Sequence, residues 1–274
     1  MASGLNKSFL KWAGGKRTSL PMINANMGYI EDNAKLIEPF VGSAVVSLNI
    51  ETFGYIIADL NEDLITLFKL VRNDDWKFID YCGAFFTPTN NTEEAYYRLR
   101  QDFNRAKDPR VRAALFVYLN RHSFNGLCRY NAHGFFNVPY GKCKKVNFPG
   151  KAMMLFAQRM KLAEIHCQGF EETMAMAKPN DVIYCDPPYV PLSDTSMFTD
   201  YTSEGFTMDQ QEQLAQLAEE SECRVLVSNH DSEITRELYK NADKIVKREV
   251  GRFVGANKES RKPVIELLAI YNAK

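Results

Sequence analysis

An Asp-Pro-Pro-Tyr turn, Asp186 to Tyr189, follows directly on the apolar run Val182-Ile183-Tyr184-Cys185. A carboxylate, carbonyls on residues without an N–H, and an aromatic ring suit one chemical problem: an exocyclic amine on a planar base. Such an amine is a poor nucleophile, because its lone pair is delocalised into the ring. Asp186 can accept one of its N–H groups and build negative potential beside the nitrogen. Proline has no N–H but keeps its C=O, so a carbonyl of the turn can accept the other. Both acceptors favour the positive charge that develops as nitrogen attacks an electrophile, and Tyr189 can stack on the base. The plainer reading is a strand running into an Asp-Pro turn. Closure of a buried strand by all four residues favours the chemical one.

The elements that must position this turn follow from pattern. A short apolar run bounded by turn chemistry predicts a strand buried on both faces. In open α/β sheets ligands sit outside the carboxyl ends of strands, so the turn should line a site. Upstream, Leu36-Ile37 runs into Glu38-Pro39-Phe40-Val41-Gly42 and then the apolar Val45, Val46 and Leu48, which predicts a strand–loop–helix unit. No G-x-G-x-x-G is present there, so no pyrophosphate site is predicted. Seventeen residues past Gly42, the strand Tyr55–Ala58 ends in Asp59, an acid placed to hold ribose hydroxyls. The alternative for Asp59 is a helix N-cap. Near the start, Trp12-Ala13-Gly14-Gly15-Lys16 combines an aromatic face, a backbone open to close approach and a cation for a carboxylate. The alternative there is an N-terminal arm with a glycine turn.

From Asn61 the pattern turns helical. Asp63 to Val71 is apolar at helical spacing, Thr92 can cap a helix to about Ala106, and Asp108-Pro109 opens another. A loop follows at Phe124–Asn131, then a hairpin turn at His133-Gly134. Between Arg98 and Lys145 stand eleven Lys and Arg against two Asp, a local surplus of nine on a chain whose charges balance at 34 and 34. Basic residues interleaved with aromatics and amides suggest a nucleic-acid face. Arg98 to Arg112 also fits a solvated helix face, so Asn125 to Lys145 is the better candidate. After Gly150 strand and helix alternate again: a helix at Ala152–Ala163, a strand at Ile165–Cys167, the Asp186 strand, a loop at Ser193–Gly205 carrying Phe198 and Tyr201 beside the site, and a helix at Met208–Glu222. A strand at Val225–Ser228 follows, then an antiparallel edge pair, Ile245–Lys247 and Val264–Tyr271, with a basic loop at Gly251–Lys262 between. His230 is expected to be structural.

Composition sets bounds. With 274 residues and 45% apolar content the chain is one large domain or two small ones with a real core. Six cysteines without a C-x-x-C pair argue against a zinc site or disulfide scaffold and for free thiols in a reducing cytosol. The first residues lack an apolar leader, and no run of eighteen apolar residues occurs. A cytoplasmic protein without a membrane span is expected, a monomer by default.

Beyond these readings, the chain is identified as a member of a family. Asp186-Pro187-Pro188-Tyr189 resembles motif IV of the amino-methyltransferases, Phe9–Lys16 motif X, Glu38–Gly42 motif I and Ala58–Asn61 motif II. Leu119–Arg121, Asn125–Asn131 and Phe136–Pro139 are similar to the target-recognition region of the Dam family, α-group DNA adenine-N6 methyltransferases acting on GATC. The resemblance runs from Phe9 to Tyr271. It implies a Rossmann-like class I methyltransferase sheet with an inserted, mainly helical target-recognition domain carrying a β-hairpin: residues 1–60 plus 146–274 catalytic, 61–145 for recognition. It further implies S-adenosylmethionine as methyl donor, contacted by Trp12, Lys16, Phe40, Asp59 and Asp186, and no metal. Asp186, Pro187 and Tyr189 would hold a flipped adenine. Double-stranded DNA would meet Lys11, Phe124, Asn125, Leu127, Arg129, Asn131, Pro139 and Lys142, with Arg129 on the outer guanine. Departures from the pattern are Ala44 for a second glycine, implying a wider cofactor loop, Phe124 for tyrosine, and Lys142 and Cys143 for an arginine and an aromatic. The rivals are an RNA or free-nucleotide amine methyltransferase and a DNA-reading module with a dead site.

Overall fold

The computed structural model describes residues 4–190, 206–250 and 264–273. The loops expected at Ser193–Gly205, with Phe198 and Tyr201, and at Gly251–Lys262 lie outside the described residues. In chain order the elements are α1 (Leu20–Met27), β1 (Lys35–Glu38), β2 (Gly54–Ala58), α2 (Glu62–Gly83), α3 (Glu93–Arg105), α4 (Pro109–His122), α5 (Gly150–Arg159), β3 (Glu164–His166), α6 (Phe170–Met174), β4 (Val182–Cys185), α7 (Met208–Glu220), β5 (Arg224–His230), α8 (Glu233–Leu238), β6 (Lys244–Val250) and β7 (Val264–Tyr271). They form two compact units: a helical one of residues 1–17, 42–49 and 59–167, and a sheet unit of 18–41, 50–58 and 168–274.

The sheet unit has the strand order β2-β1-β4-β5-β7-β6. The first four strands are parallel; β7 runs antiparallel to both neighbours. Strands covered on both faces read as unbroken apolar runs, and every residue of β2 and β4 is buried. Helices α6 and α7 contribute Phe170, Met174, Leu214, Ala215 and Ala218 to one core with Ile37, Ile183 and Val225. The last two strands are the expected antiparallel pair, but only β6 is an edge, because β7 slots between β5 and β6. Lys244, Lys247, Arg248 and Glu249 keep that edge charged, the usual guard against strand addition.

In the helical unit the caps expected from sequence are in place. The Thr92 side chain accepts from the Ala95 N–H and Asp108 from those of Arg110 and Val111, each cap being worth about 1 kcal/mol. Helix α2 is far longer than the apolar spacing suggested. Phe9 packs edge-on against Phe68 and Phe156, with centroids 5.8 and 5.4 Å away, and so anchors the N-terminal arm on α2 and α5. The strand–loop–helix expected around Gly42 is corrected: after Ser43 the chain makes successive turns, not a helix. Ala44 stands at φ +57°, a left-handed conformation that interrupts helix nucleation. Val45, Val46 and Leu48 are buried all the same. Among the described residues no helix is long and apolar enough to cross a membrane.

Candidate active site

Strands β1 and β4 are neighbours, Leu36 beside Val182 and Ile37 beside Ile183. From β1 the chain proceeds to β2 on one side; from β4 it proceeds to β5 on the other. This is the switch point at which open α/β sheets open a crevice beyond their carboxyl ends. Phe40 follows β1 and Asp186 follows β4, so both stand at that edge. Phe40 is half-buried, stacked on Phe170 (5.6 Å, 22°) and edge-on to Phe206 (5.5 Å, 84°).

The Asp186–Tyr189 turn is fixed from behind by buried amides. Gln211 on α7 donates through Nε2 to the Pro188 carbonyl at 2.7 Å. The Val190 N–H donates to Oδ1 of Asn229, on β5, at 3.1 Å. Asn229 Nδ2 donates to Gln211 Oε1 (3.2 Å) and to the Tyr239 hydroxyl (3.1 Å). His230 lies edge-on to the Tyr189 ring, centroids 4.7 Å apart, with its Nδ1 3.2 Å from the Val190 carbonyl. Burial, reinforced by the Asp186 carboxylate, pushes the Tyr189 phenol well above its ordinary range. Tyr189 therefore stays neutral, a ring rather than an acid.

In the helical unit, Asp59 is not the cap of α2. Asn61 is, accepting from the Leu64 N–H at 3.0 Å. The Asp59 carboxylate receives the N–H groups of Gly42 (3.1 Å) and Asn61 (3.0 Å). Burial raises its pKa, and those N–H groups oppose the shift. Gly42 has φ +45°, and a Cβ there would come within 2.9 Å of the Trp12 indole. Only glycine lets indole and loop meet this closely. A turn closed by Gly15 N–H on Trp12 O (3.3 Å) leads to Lys16, buried, with Nζ 2.6 Å from the Gly14 carbonyl.

The predicted DNA-facing residues also gather in the helical unit. Asn120 bridges two of the segments: its Oδ1 accepts from the Lys11 N–H (2.9 Å), and its Nδ2 donates to the carbonyls of Lys11 (2.7 Å) and Gly126 (3.2 Å). A Cβ on Gly126 would sit 2.3 Å from that of Lys11. Phe124 is 50% exposed at the head of this turn, with its N–H on the Pro139 carbonyl at 2.9 Å. Asn125 is exposed and left-handed (φ +53°), as is Lys142 (φ +51°). Leu127 is half-buried and Pro139 exposed. Arg129 projects outward, its Nε on Asn137 Oδ1 at 2.8 Å. Asn131 closes the hairpin turn, its Oδ1 accepting from the N–H groups of His133 and Phe135, both at 3.0 Å. Part of the basic surplus is spent internally. Arg112 forks onto Asp63 (2.5 and 2.8 Å), and Arg100 donates to the Val138 carbonyl (2.9 Å).

Gln211, Asn229 and Tyr239 escaped sequence reasoning. A signal existed for the first two. Gln211 shares the buried face of α7 with Leu214, Ala215 and Ala218, and Asn229 continues an apolar strand. A polar residue on an apolar face needs a partner.

A mostly parallel sheet whose last strand enters antiparallel, with an Asp-Pro-Pro-Tyr turn at its switch point, defines a Rossmann-like methyltransferase. Residues 12–252 match the family model described as D12 class N6 adenine-specific DNA methyltransferase, and the chain belongs to that family. It is 44% identical over 269 residues to a DNA adenine methylase of Escherichia coli (strain K12), covering 97% of this chain and 95% of that protein. A DNA adenine methylase of Serratia marcescens is 44% identical over 272 residues, covering 97% and 98%. Among solved structures, an rRNA methylase from Streptococcus thermophilus overlaps 92% of this chain and 97% of its own at TM-score 0.36 and 9% identity, too loosely to bear on function. The chain is an adenine-specific DNA methyltransferase: its substrate is DNA, the product carries a methyl group on adenine N6, and a methyl donor is required.

Proposed function

We propose that the enzyme methylates adenine within duplex GATC, with S-adenosylmethionine as donor, after rotating the base out of the helix. The observation that carries this reading is the Asp186–Tyr189 turn at the β1/β4 switch point. Residues 1–60 plus 146–274 act as the catalytic domain and 61–145 as the recognition domain.

The donor supplies an electrophilic methyl on sulfur, and the residues present suit such a ligand. Asp59 is a carboxylate oriented by two backbone N–H groups. Gly42 lets the Trp12 indole close onto the loop, where a Cβ would come within 2.9 Å of it. With Lys16, Phe40 and Asp186 these complete the proposed donor contacts. Asp186 and the Pro187 carbonyl each accept one N6 hydrogen, which concentrates the lone pair on nitrogen and stabilises its developing positive charge. Transfer would form the N6–C bond at the expense of the donor's S–C bond and release the surplus N6 proton to water. Flipping costs a few kcal/mol; stacking on Tyr189, about 1–3 kcal/mol per base in single-strand binders, offsets much of it. Phe124 fills the vacated stack and Asn125 supports the orphan thymine. Arg129 reads the outer guanine, Leu127 and Pro139 touch thymine methyls, and Lys11, Asn131 and Lys142 complete the DNA contacts. The protein acts as a monomer in the cytoplasm, without a metal.

Tritiated methyl incorporation into duplexes carrying GATC or one-base variants tests the reading. Incorporation should be confined to GATC, and Asp186→Ala should lose at least about 10²-fold in kcat while still binding duplex. Equal labelling of the variants would refute the specificity, and substantial turnover by Asp186→Ala would refute the role of the carboxylate.

A further inference from the structure

We infer that Gln211 and Asn229 form a buried amide latch that sets the Asp186–Tyr189 turn in its reactive shape, so that both are positioning residues for methyl transfer. The inference rests on the acceptor role proposed for Asp186 and Pro187.

Both amides lie inside the apolar core of the sheet unit, Gln211 1% and Asn229 0% exposed. Burying an amide is costly unless its hydrogen bonds are made, and here the orientation of each group is dictated by the other. Asn229 Oδ1 accepts two backbone N–H groups, from Val190 (3.1 Å) and His230 (2.9 Å). That fixes Asn229 Nδ2 as donor to Gln211 Oε1 and the Tyr239 hydroxyl, which fills all four positions of the asparagine amide. Gln211 must then present Nε2 to the Pro188 carbonyl. The chain of bonds thus runs from β5 through α7 to the residue directly after Pro187. A second path holds the far side of the turn: Val190 is gripped at its N–H by Asn229 and at its carbonyl by His230. Pro188 and Val190 flank Tyr189, so the latch governs the peptide following the Pro187 carbonyl and the plane of the Tyr189 ring. None of these amides lies at a position expected to touch substrate. Their effect on transfer is through geometry, and displacement of about 1 Å in a catalytic array costs on the order of 10²-fold.

Gln211→Glu keeps the shape and replaces the donor facing the Pro188 carbonyl with a carboxylate. At pH 8 this variant should lose tenfold or more in kcat, with KM for duplex DNA unchanged within twofold. As pH falls, its carboxyl gains a proton and can again donate. Its kcat relative to wild type should therefore climb on acidification, a rescue that a merely structural defect would not show. Gln211→Met, which removes the donor without adding charge, should lose kcat similarly and show no such rescue; it supplies the reading if Gln211→Glu does not fold. Wild-type kcat in folded Gln211→Met, or in Gln211→Glu with its carboxyl ionised, overturns the latch. Asp186→Ala, run alongside, separates the failures: if it too keeps its turnover, the reading of the turn is wrong; if it alone is inactive, only the latch is.

Discussion

Ala44 holds a conformation its side chain opposes. At φ +57° its Cβ crowds the following carbonyl, at a cost of about 1–2 kcal/mol, part of which glycine would return to the unfolded chain as entropy. Ala44→Gly should leave urea-unfolding stability unchanged or raise it by up to about 1 kcal/mol, whereas Ala44→Val should lower it by more than about 1 kcal/mol, because a β-branched residue is a true outlier at positive φ. A Val variant as stable as wild type would show that no strain is stored there. Arg129, proposed above to read the outer guanine, makes the complementary case. Its Nε rests on Asn137, which orients the guanidinium. Arg129→Ala should cost about 1–3 kcal/mol of discrimination at the outer guanine, read as the ratio of kcat/KM between GATC and its first-base variants. An unchanged ratio would remove Arg129 from the readout.

At the scale of elements, one carboxylate gathers three of them. Asp231 follows β5, forks onto Arg236 of α8 at 2.6 and 2.7 Å and meets Lys247 of β6 at 3.0 Å. Those partners, Arg236 first, hold its pKa down to about 2. A carboxyl depressed in the folded state stabilises above its unfolded pKa, near 3.9, and that contribution fades as pH falls through the folded value. Asp231→Asn should therefore be less stable than wild type at pH 7, with the gap closing between about pH 4 and pH 2 in thermal melts. A pH-independent gap would assign the loss to packing. Since Arg236 and Lys247 are half-exposed, raising the salt concentration should also narrow the gap. The short polar signals that start elements were legible beforehand: Thr92 and Asp108 could be read as caps because capping is a contact within three residues.

For the molecule as a whole, a balanced net charge conceals a basic segment. Arg100 and Arg112 spend their donors on Val138 and Asp63, so the surplus facing solvent is smaller than the sequence count, while Lys142, Lys144 and Lys145 are exposed. Duplex binding should weaken steeply with salt, and Lys142→Ala should reduce the slope of log K against log salt by about 1 without altering the proposed preference for GATC. A slope identical to wild type would show that Lys142 meets no phosphate.

The sequence alone determined the strands that are buried on both faces, the caps at Thr92 and Asp108, and the residues whose chemistry suits an amine on a base, since each is written in contiguous residue types. Tertiary structure decided the rest. It inserted β7 between β5 and β6 and turned the Asp59 carboxylate onto the Gly42 N–H. It also set Gln211 and Asn229, eighteen residues apart in sequence, behind the Asp186 turn. Strand order and buried amide pairing depend on which distant segments exclude water together, and no local spacing records that.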